Sequence, residues 1–157
     1  MPAPVTILLD VKPYLKSYLL TLYGPSEPIR FPRRHCLNTF LIRHLGPPPA
    51  GSFPKASRAG KVEIALPYSR AKNVLYNHYL SEHDEEALRK ELEREFVYDY
   101  RCYIKEKMRA GISRKEATEL FMEVYNIRDE YLSFSALYRD FSRMLQKRRL
   151  TSAKLVI

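Results

Sequence analysis

Apolar residues in the last third of the chain recur at helical spacing in two segments, residues 113–125 and 133–149. The first segment places apolar side chains at i, i+3, i+4 and i+7, namely Ala117, Leu120, Phe121 and Val124. The second repeats the spacing with Phe134, Leu137, Tyr138, Phe141 and Leu145. Each segment opens on a serine, and Ser113 with Glu116 fits a capping box. The pattern predicts two amphipathic helices joined by residues 126–132.

Strand and helix patterns alternate in the N-terminal half. Residues 5–11 form an aliphatic and β-branched run, and residues 61–66 alternate apolar with polar positions, so two strands are predicted that could pair in one small sheet. Helices are expected over residues 13–22 and 33–45, with a short extended piece at 29–31. Four prolines and three glycines exclude a regular element from the proline-rich loop, residues 46–60. That loop is either a plain connection or a basic arm carrying Lys55 and Arg58.

A long helix is predicted over residues 81–109, which contain neither proline nor glycine. Ser81 and the acids that follow it suit a helix start, and Gly111 suits its end. Because such a helix spans roughly 40 Å, we expect it either to break near residues 97–100 or to serve a dimer interface. The fold class is therefore α+β, with a small N-terminal sheet layer and two helices, a long central helix, and a helical C-terminal half.

Two domains follow from this arrangement. Residues 1–80 form an α+β scaffold, and residues 81–157 form a helical region. Composition fits a globular protein, since 45% of the 157 residues are hydrophobic and 29% are charged. We find no secretory signal and no apolar run long enough to span a membrane. Cys36 and Cys102 are expected to be free and buried, which indicates a cytoplasmic protein.

The net charge of +9 is unevenly distributed. Residues 1–80 carry eleven lysines and arginines against three acids, residues 81–100 three against eight, and residues 101–157 thirteen against seven. Such an excess favours a polyanion partner, because neutralised phosphates release counterions. An acidic protein partner or a ribosome-type surface is the alternative.

The predicted second C-terminal helix carries the strongest candidate site. Opposite its apolar positions lie side chains that can reach base edges and phosphates, followed by a basic tail. The candidate nucleic-acid-binding residues are Ser135, Arg139, Ser142, Arg143, Gln146, Lys147, Arg148 and Arg149.

Two short helices, the later one basic, resemble a helix-turn-helix DNA-binding module. The resemblance covers residues 113–149 only. It departs from that pattern at residues 126–132, where seven residues without glycine replace a turn of three or four. A plain helical core with a solvated basic face, or a dimerisation pair, would show the same pattern.

Two further basic and aromatic clusters are candidates for binding phosphate and stacking bases. The auxiliary basic surface comprises Arg30, Arg33, Arg34 and Arg43, interleaved with Phe31, His35 and Phe40. The other cluster comprises Tyr68, Arg70, Lys72, Tyr76 and Tyr79. In both, the rings could instead belong to the core while the cations are simply solvated.

Enzymatic and metal-binding patterns are weak. His35, Cys36 and His44 are too few and too irregularly spaced for zinc, which takes about four ligands. No Ser/His/Asp or Cys/His signature is present. We therefore expect no catalytic activity, no metal and no cofactor.

The motif PIRFPRRH and the ending LFMEVYNI…LSFSALYRDFSR resemble uncharacterised small proteins of Bacteroides-type bacteria and their mobile elements. With the charge pattern, this favours a non-catalytic protein that binds duplex DNA, such as a regulator or accessory factor of a mobile element. The alternatives are an adaptor that assembles through helix 82–109, including as a homodimer, and an RNA- or ribosome-associated factor.

Overall fold

A computed structural model describes residues 3–52 and 60–154, with side chains up to residue 148. The described chain is α+β, as predicted. Its elements are β1 (Thr6–Asp10), α1 (Pro13–Tyr23), α2 (Cys36–His44), β2 (Lys61–Ala65), α3 (Glu82–Arg109), α4 (Arg114–Val124) and α5 (Phe134–Lys154). The chain divides into two compact units, Met1–Phe96 and Val97–Ile157. Their boundary falls within α3.

The predicted sheet consists of β1 and β2, paired antiparallel with Leu9 opposite Val62. Both of these side chains are completely buried. Ile29 donates its N–H to the carbonyl of Glu63 at 2.9 Å and accepts from Ala65 at 2.9 Å. The extended piece expected at residues 29–31 therefore adds a single parallel bridge, to Ile64, and no third strand.

Aromatic packing between α1 and α3 builds the core of the first unit. Proline at the first position of α1 suits a helix start, because that N–H has no partner within the helix. Tyr14 and Tyr18 lie on the buried side of α1, and their ring centroids are 5.0 and 5.1 Å from that of Phe96. Leu88 and Leu92 continue the buried side of α3.

Helix α2 is shorter than predicted. It begins at Cys36 because His35 acts as its N-cap, with Nδ1 accepting the N–H of Leu37 at 3.3 Å. It ends at His44, and Leu45 rather than Gly46 is the C-cap. In the proline-rich loop, residues 46–52 and residue 60 form no helix or strand. Lys55 and Arg58 lie outside the described residues.

The expected burial of the two cysteines is wrong. Both are free thiols and both are exposed. Cys102 follows Tyr100 by two positions, which turns it about 200° around α3 from the buried side. Cys36 occupies the first turn of α2, whose buried positions are Leu37, Asn38 and Leu41.

Helix α3 runs without interruption, so the break considered near residues 97–100 does not occur. Ser81 caps its start: the hydroxyl accepts the N–H of Asp84 at 3.1 Å and donates to the carboxylate of Asp84 at 2.7 Å. The ring of His44 contacts the other carboxylate oxygen at 2.8 Å. The Ser81 hydrogen bond, followed by the interactions with His44, lowers the pKa of Asp84. Gly111, at φ +86°, ends the helix.

The buried phenol of Tyr100 connects three helices in the second unit. Its hydroxyl lies 3.1 Å from Thr118 Oγ1 in α4 and donates to the carbonyl of Leu137 in α5 at 3.1 Å. Its ring packs edge-on against Phe121, at 5.1 Å between centroids. A hydroxyl buried in this way needs partners, and here it finds them on both neighbouring helices.

Removal of the Tyr100 hydroxyl tests this connection. We expect Tyr100→Phe to lower the free energy of unfolding by about 1–2 kcal/mol, since a buried hydrogen-bonding group is lost while the ring remains. Urea denaturation followed by circular dichroism measures the change. Tyr98→Phe, at a tyrosine that is 68% exposed on the same helix, is the matched control and should change little. Equal stability of the two variants would contradict the role given to Tyr100.

The lowered pKa of Asp84 predicts a pH-dependent contribution to stability. The folded protein favours the carboxylate, so this contribution is complete above the reference pKa of 3.8 and disappears as the pH falls through the lower folded value. Asp84→Asn should therefore reduce the Tm at pH 7, and the deficit should shrink below pH 3.8. Glu119→Gln, at an exposed position in α4, should show no such convergence. A deficit that stays constant with pH would contradict the prediction.

Candidate nucleic-acid interface

An exposed row of polar and basic side chains runs along α5. Ser135, Arg139, Arg143 and Gln146 are all exposed, and their spacing of four, four and three residues puts them on one face of the helix. Arg139 Nε donates to the carbonyl of Ser135 at 3.1 Å. Within the described part of the chain, neither Arg139 nor Arg143 has a carboxylate partner. We call these four residues the α5 row.

The basic tail of the predicted site continues from this row. Lys147 and Arg148 are exposed. The side chain of Arg149 lies outside the described ones.

Ser142 does not belong to the exposed row, although the sequence suggested it as a nucleic-acid contact. Its hydroxyl accepts from Arg114 Nη1 at 3.0 Å and donates to the carbonyl of Tyr138 at 3.0 Å. The residue is half-buried against α4. Both interactions hold the hydroxyl within the second unit.

The one acidic residue of α5, Asp140, is paired with a cation. Arg101 in α3 donates Nε and Nη2 to its two carboxylate oxygens at 3.0 and 2.9 Å. Such bidentate pairs are the stronger and more directional kind of ion pair. Asp140 is therefore neutralised by α3, and its charge does not offset those of Arg139 and Arg143.

Arg114 is a second contact that fixes α5, and the sequence pattern did not reveal it. Its guanidinium lies over the ring of Tyr138, 3.7 Å from the centroid. The stacked geometry, together with the hydrogen bond to Ser142, attaches the start of α4 to the middle of α5. A basic residue in the first turn of a helix opposes the helix dipole, so this position could have been noted as unusual.

The connection between α4 and α5 covers residues 125–133 and is ordered by local contacts. Asn126 adopts a left-handed conformation at φ +51°, which glycine usually provides at a helix end. The buried Ile127 donates its N–H to the carbonyl of Met122 at 2.8 Å. Asp129 Oδ1 accepts the N–H of Phe134 at the start of α5, also at 2.8 Å. The connection is thus longer than a helix-turn-helix turn, but it is specified by side chains.

The auxiliary basic surface in the first unit is also exposed. Its members are Arg30, Arg33, Arg34 and Arg43. The rings between them have structural roles. Phe31 is buried, and its ring stacks on His35 at 5.3 Å. His35 Nε2 contacts Glu95 at 3.1 Å, so within this cluster it is the arginines that face solvent.

A metal-ligand cluster and a membrane-spanning helix are both absent from the described residues. No three His, Cys, Asp or Glu side chains there are grouped so that they could hold a metal ion. None of the helices described combines the length and apolar character needed to cross a bilayer.

Replacement of Arg114 by lysine tests its stacking role. Lysine keeps the charge but cannot both cover the Tyr138 ring and reach Ser142 with a planar fork. We expect Arg114→Lys to cost about 1 kcal/mol of unfolding free energy, measured by urea denaturation. Lys115→Arg, at an exposed neighbouring position, should be neutral. Arg114→Lys behaving like this control would contradict the assignment.

No protein-family model, no curated protein and no solved structure matches this chain. The function of the α5 row must therefore be argued from its own geometry and charge.

Proposed function

We propose that this protein binds duplex DNA without catalysing a reaction, and that the α5 row makes the contact. The neutralisation of Asp140 by Arg101 carries the proposal. Because of that pair, α5 presents Arg139 and Arg143 to solvent with no carboxylate partner among the described residues. A surface of this kind attracts phosphates, and its interaction should weaken as salt concentration rises.

The side chains of the row suit both phosphate and base contacts. Arginine can donate two hydrogen bonds to guanine, and glutamine can pair with adenine. Arg139, Arg143 and Gln146 repeat about once per helical turn, so neighbouring residues are separated by about 6 and about 4.5 Å along the axis. An α-helix fits within the major groove of B-DNA. The row could therefore read a few consecutive base pairs.

Contacts on the other sides of α5 give the row a fixed support. Leu137 and Phe141 are buried, and Tyr138 lies beneath Arg114. Because the row takes no part in this packing, its side chains can change without loss of the fold. In specific terms, we propose that the protein acts as a regulator or accessory factor of a mobile element.

Substitution in the middle of the row tests the proposal. Arg143→Ala should weaken binding to random duplex DNA by about tenfold at low salt and should make the salt dependence shallower. Fluorescence anisotropy at two salt concentrations measures both effects. Arg94→Ala removes the same charge from an α3 side chain that is 74% exposed and paired with Glu91, and it serves as the control for net charge. Both variants should keep the parental Tm.

Three results would contradict the proposal. The first is no binding of duplex DNA by the parent protein at low salt. The second is an equal loss of affinity in Arg143→Ala and Arg94→Ala, which would indicate an effect of net charge alone. The third is a clear preference for duplex RNA, which would favour an RNA- or ribosome-associated factor.

An adaptor that assembles through α3 is the second candidate. Tyr98 favours it, since a large ring that is 68% exposed on a helix surface is suited to a protein partner. Sedimentation velocity separates the candidates. If the protein forms a homodimer through α3, the Tyr98→Ala variant should be a monomer. DNA binding through the α5 row does not require this side chain.

A further inference from the structure

The segment between β2 and α3 exposes large apolar side chains on the first unit. We call residues 68–79 the tyrosine loop. Tyr68 is 85% exposed, Tyr76 is 70% exposed and Leu75 is 64% exposed. These are the three most exposed of the large apolar side chains described in this unit. Exposure of such a group to water is unfavourable, so it indicates a surface that a partner covers.

The tyrosine loop is attached to the end of α2. Lys72 Nζ donates to the carbonyls of Arg43 and Leu45, at 3.0 and 2.5 Å. Tyr79 and Gly46 exchange two backbone hydrogen bonds of 3.0 Å each. Lys72 and Tyr79, which the sequence grouped with the other candidates for binding, therefore anchor the loop.

Hydrogen bonds within the loop order its turns. Ser69 Oγ accepts the N–H of Ala71 at 3.2 Å, and Asn73 Oδ1 accepts that of Leu75 at 3.0 Å. The carbonyl of Asn73 accepts from the N–H groups of Tyr76 and Asn77 at 3.1 and 3.0 Å. Leu75 and Tyr76 thus project from a constrained backbone, which reduces the entropy lost when they bind a partner.

The charge around the loop indicates the chemistry of that partner. Residues 28–52 and 60–81 contain seven lysines and arginines and one acid, Glu63, before the acids that open α3. The carboxylate of Glu63 accepts a hydrogen bond from Thr6 at 2.8 Å within the sheet. Arg70 is exposed on the loop, and Arg43 is exposed on the helix end to which the loop is attached. Neither arginine has an ion-pair partner among the described residues, and exposed tyrosines on the same loop as Arg70 suit a partner with flat rings and negative charge.

We propose that the tyrosine loop binds single-stranded nucleic acid. Tyr68 and Tyr76 stack on bases, and Arg70 and Arg43 contact phosphates. A single strand fits better than a duplex, because the base faces that the tyrosines need are already stacked on each other inside a duplex. This site lies in the first unit and does not depend on the α5 row, so the protein would have separate contacts for duplex and single strand.

Binding of labelled dT15 and U15, followed by fluorescence anisotropy, tests the proposal. The two probes distinguish DNA from RNA as the source of the strand. Tyr68→Ala combined with Tyr76→Ala should lose at least about tenfold in affinity for the preferred probe. Tyr68→Phe combined with Tyr76→Phe should retain binding, since the stacking rings remain. Tyr131→Ala, at an exposed tyrosine of the second unit, is the matched control and should bind like the parent.

A duplex probe separates this proposal from the function proposed for α5. Arg143→Ala should bind dT15 and U15 like the parent, and the double alanine variant should bind duplex like the parent. Failure of the parent to bind either single strand would overturn the tyrosine-loop proposal and leave the duplex proposal standing. So would equal affinities for the double alanine variant and the Tyr131→Ala control. Binding of another protein through this loop, without binding of dT15 or U15, would overturn the tyrosine-loop proposal as well.

Discussion

Two large buried aromatic side chains of α3 are the constraint on which the compact units depend, because each unit receives one of them. Phe96 packs against Tyr14 and Tyr18 to complete the first core. One helical turn later, Tyr100 supplies the second core with its ring and hydroxyl. Helix α3 therefore contributes to two hydrophobic cores. Without it, each core would lose a large buried aromatic residue.

The same helix determines which charges of the second unit remain available. Arg101 follows Tyr100 and binds Asp140, while Arg114 from α4 covers Tyr138. These contacts involve the sides of α5 that face its neighbours. Arg139 and Arg143 are left facing solvent. The basic surface of α5 is thus a consequence of how its other polar residues are paired within the fold, and it follows from more than an excess of lysine and arginine.

Much of the fold could be predicted because its signals are local. The strands β1 and β2, the start of α1 at Pro13 and the Ser113 cap of α4 all depend on residues within a few positions of one another. Local signals also explain the errors. His35 is an uncommon N-cap, so the start of α2 was set too early. The two cysteines were expected inside from their residue type, although their helical positions point outward.

The sequence by itself determined the α+β class, the positions of most helices and strands, and the basic character of α5, since each follows from spacing and composition along the chain. Only the tertiary structure decided which polar residues remain free to bind. In the folded chain, Ser142 accepts a hydrogen bond from Arg114, and Asp140 forms an ion pair with Arg101. Lys72 anchors the tyrosine loop, whereas Arg70 stays exposed. These outcomes depend on partners that are 27 to 39 positions away in the chain. Periodicity carries no information about such pairs, because they form only when separate elements pack together.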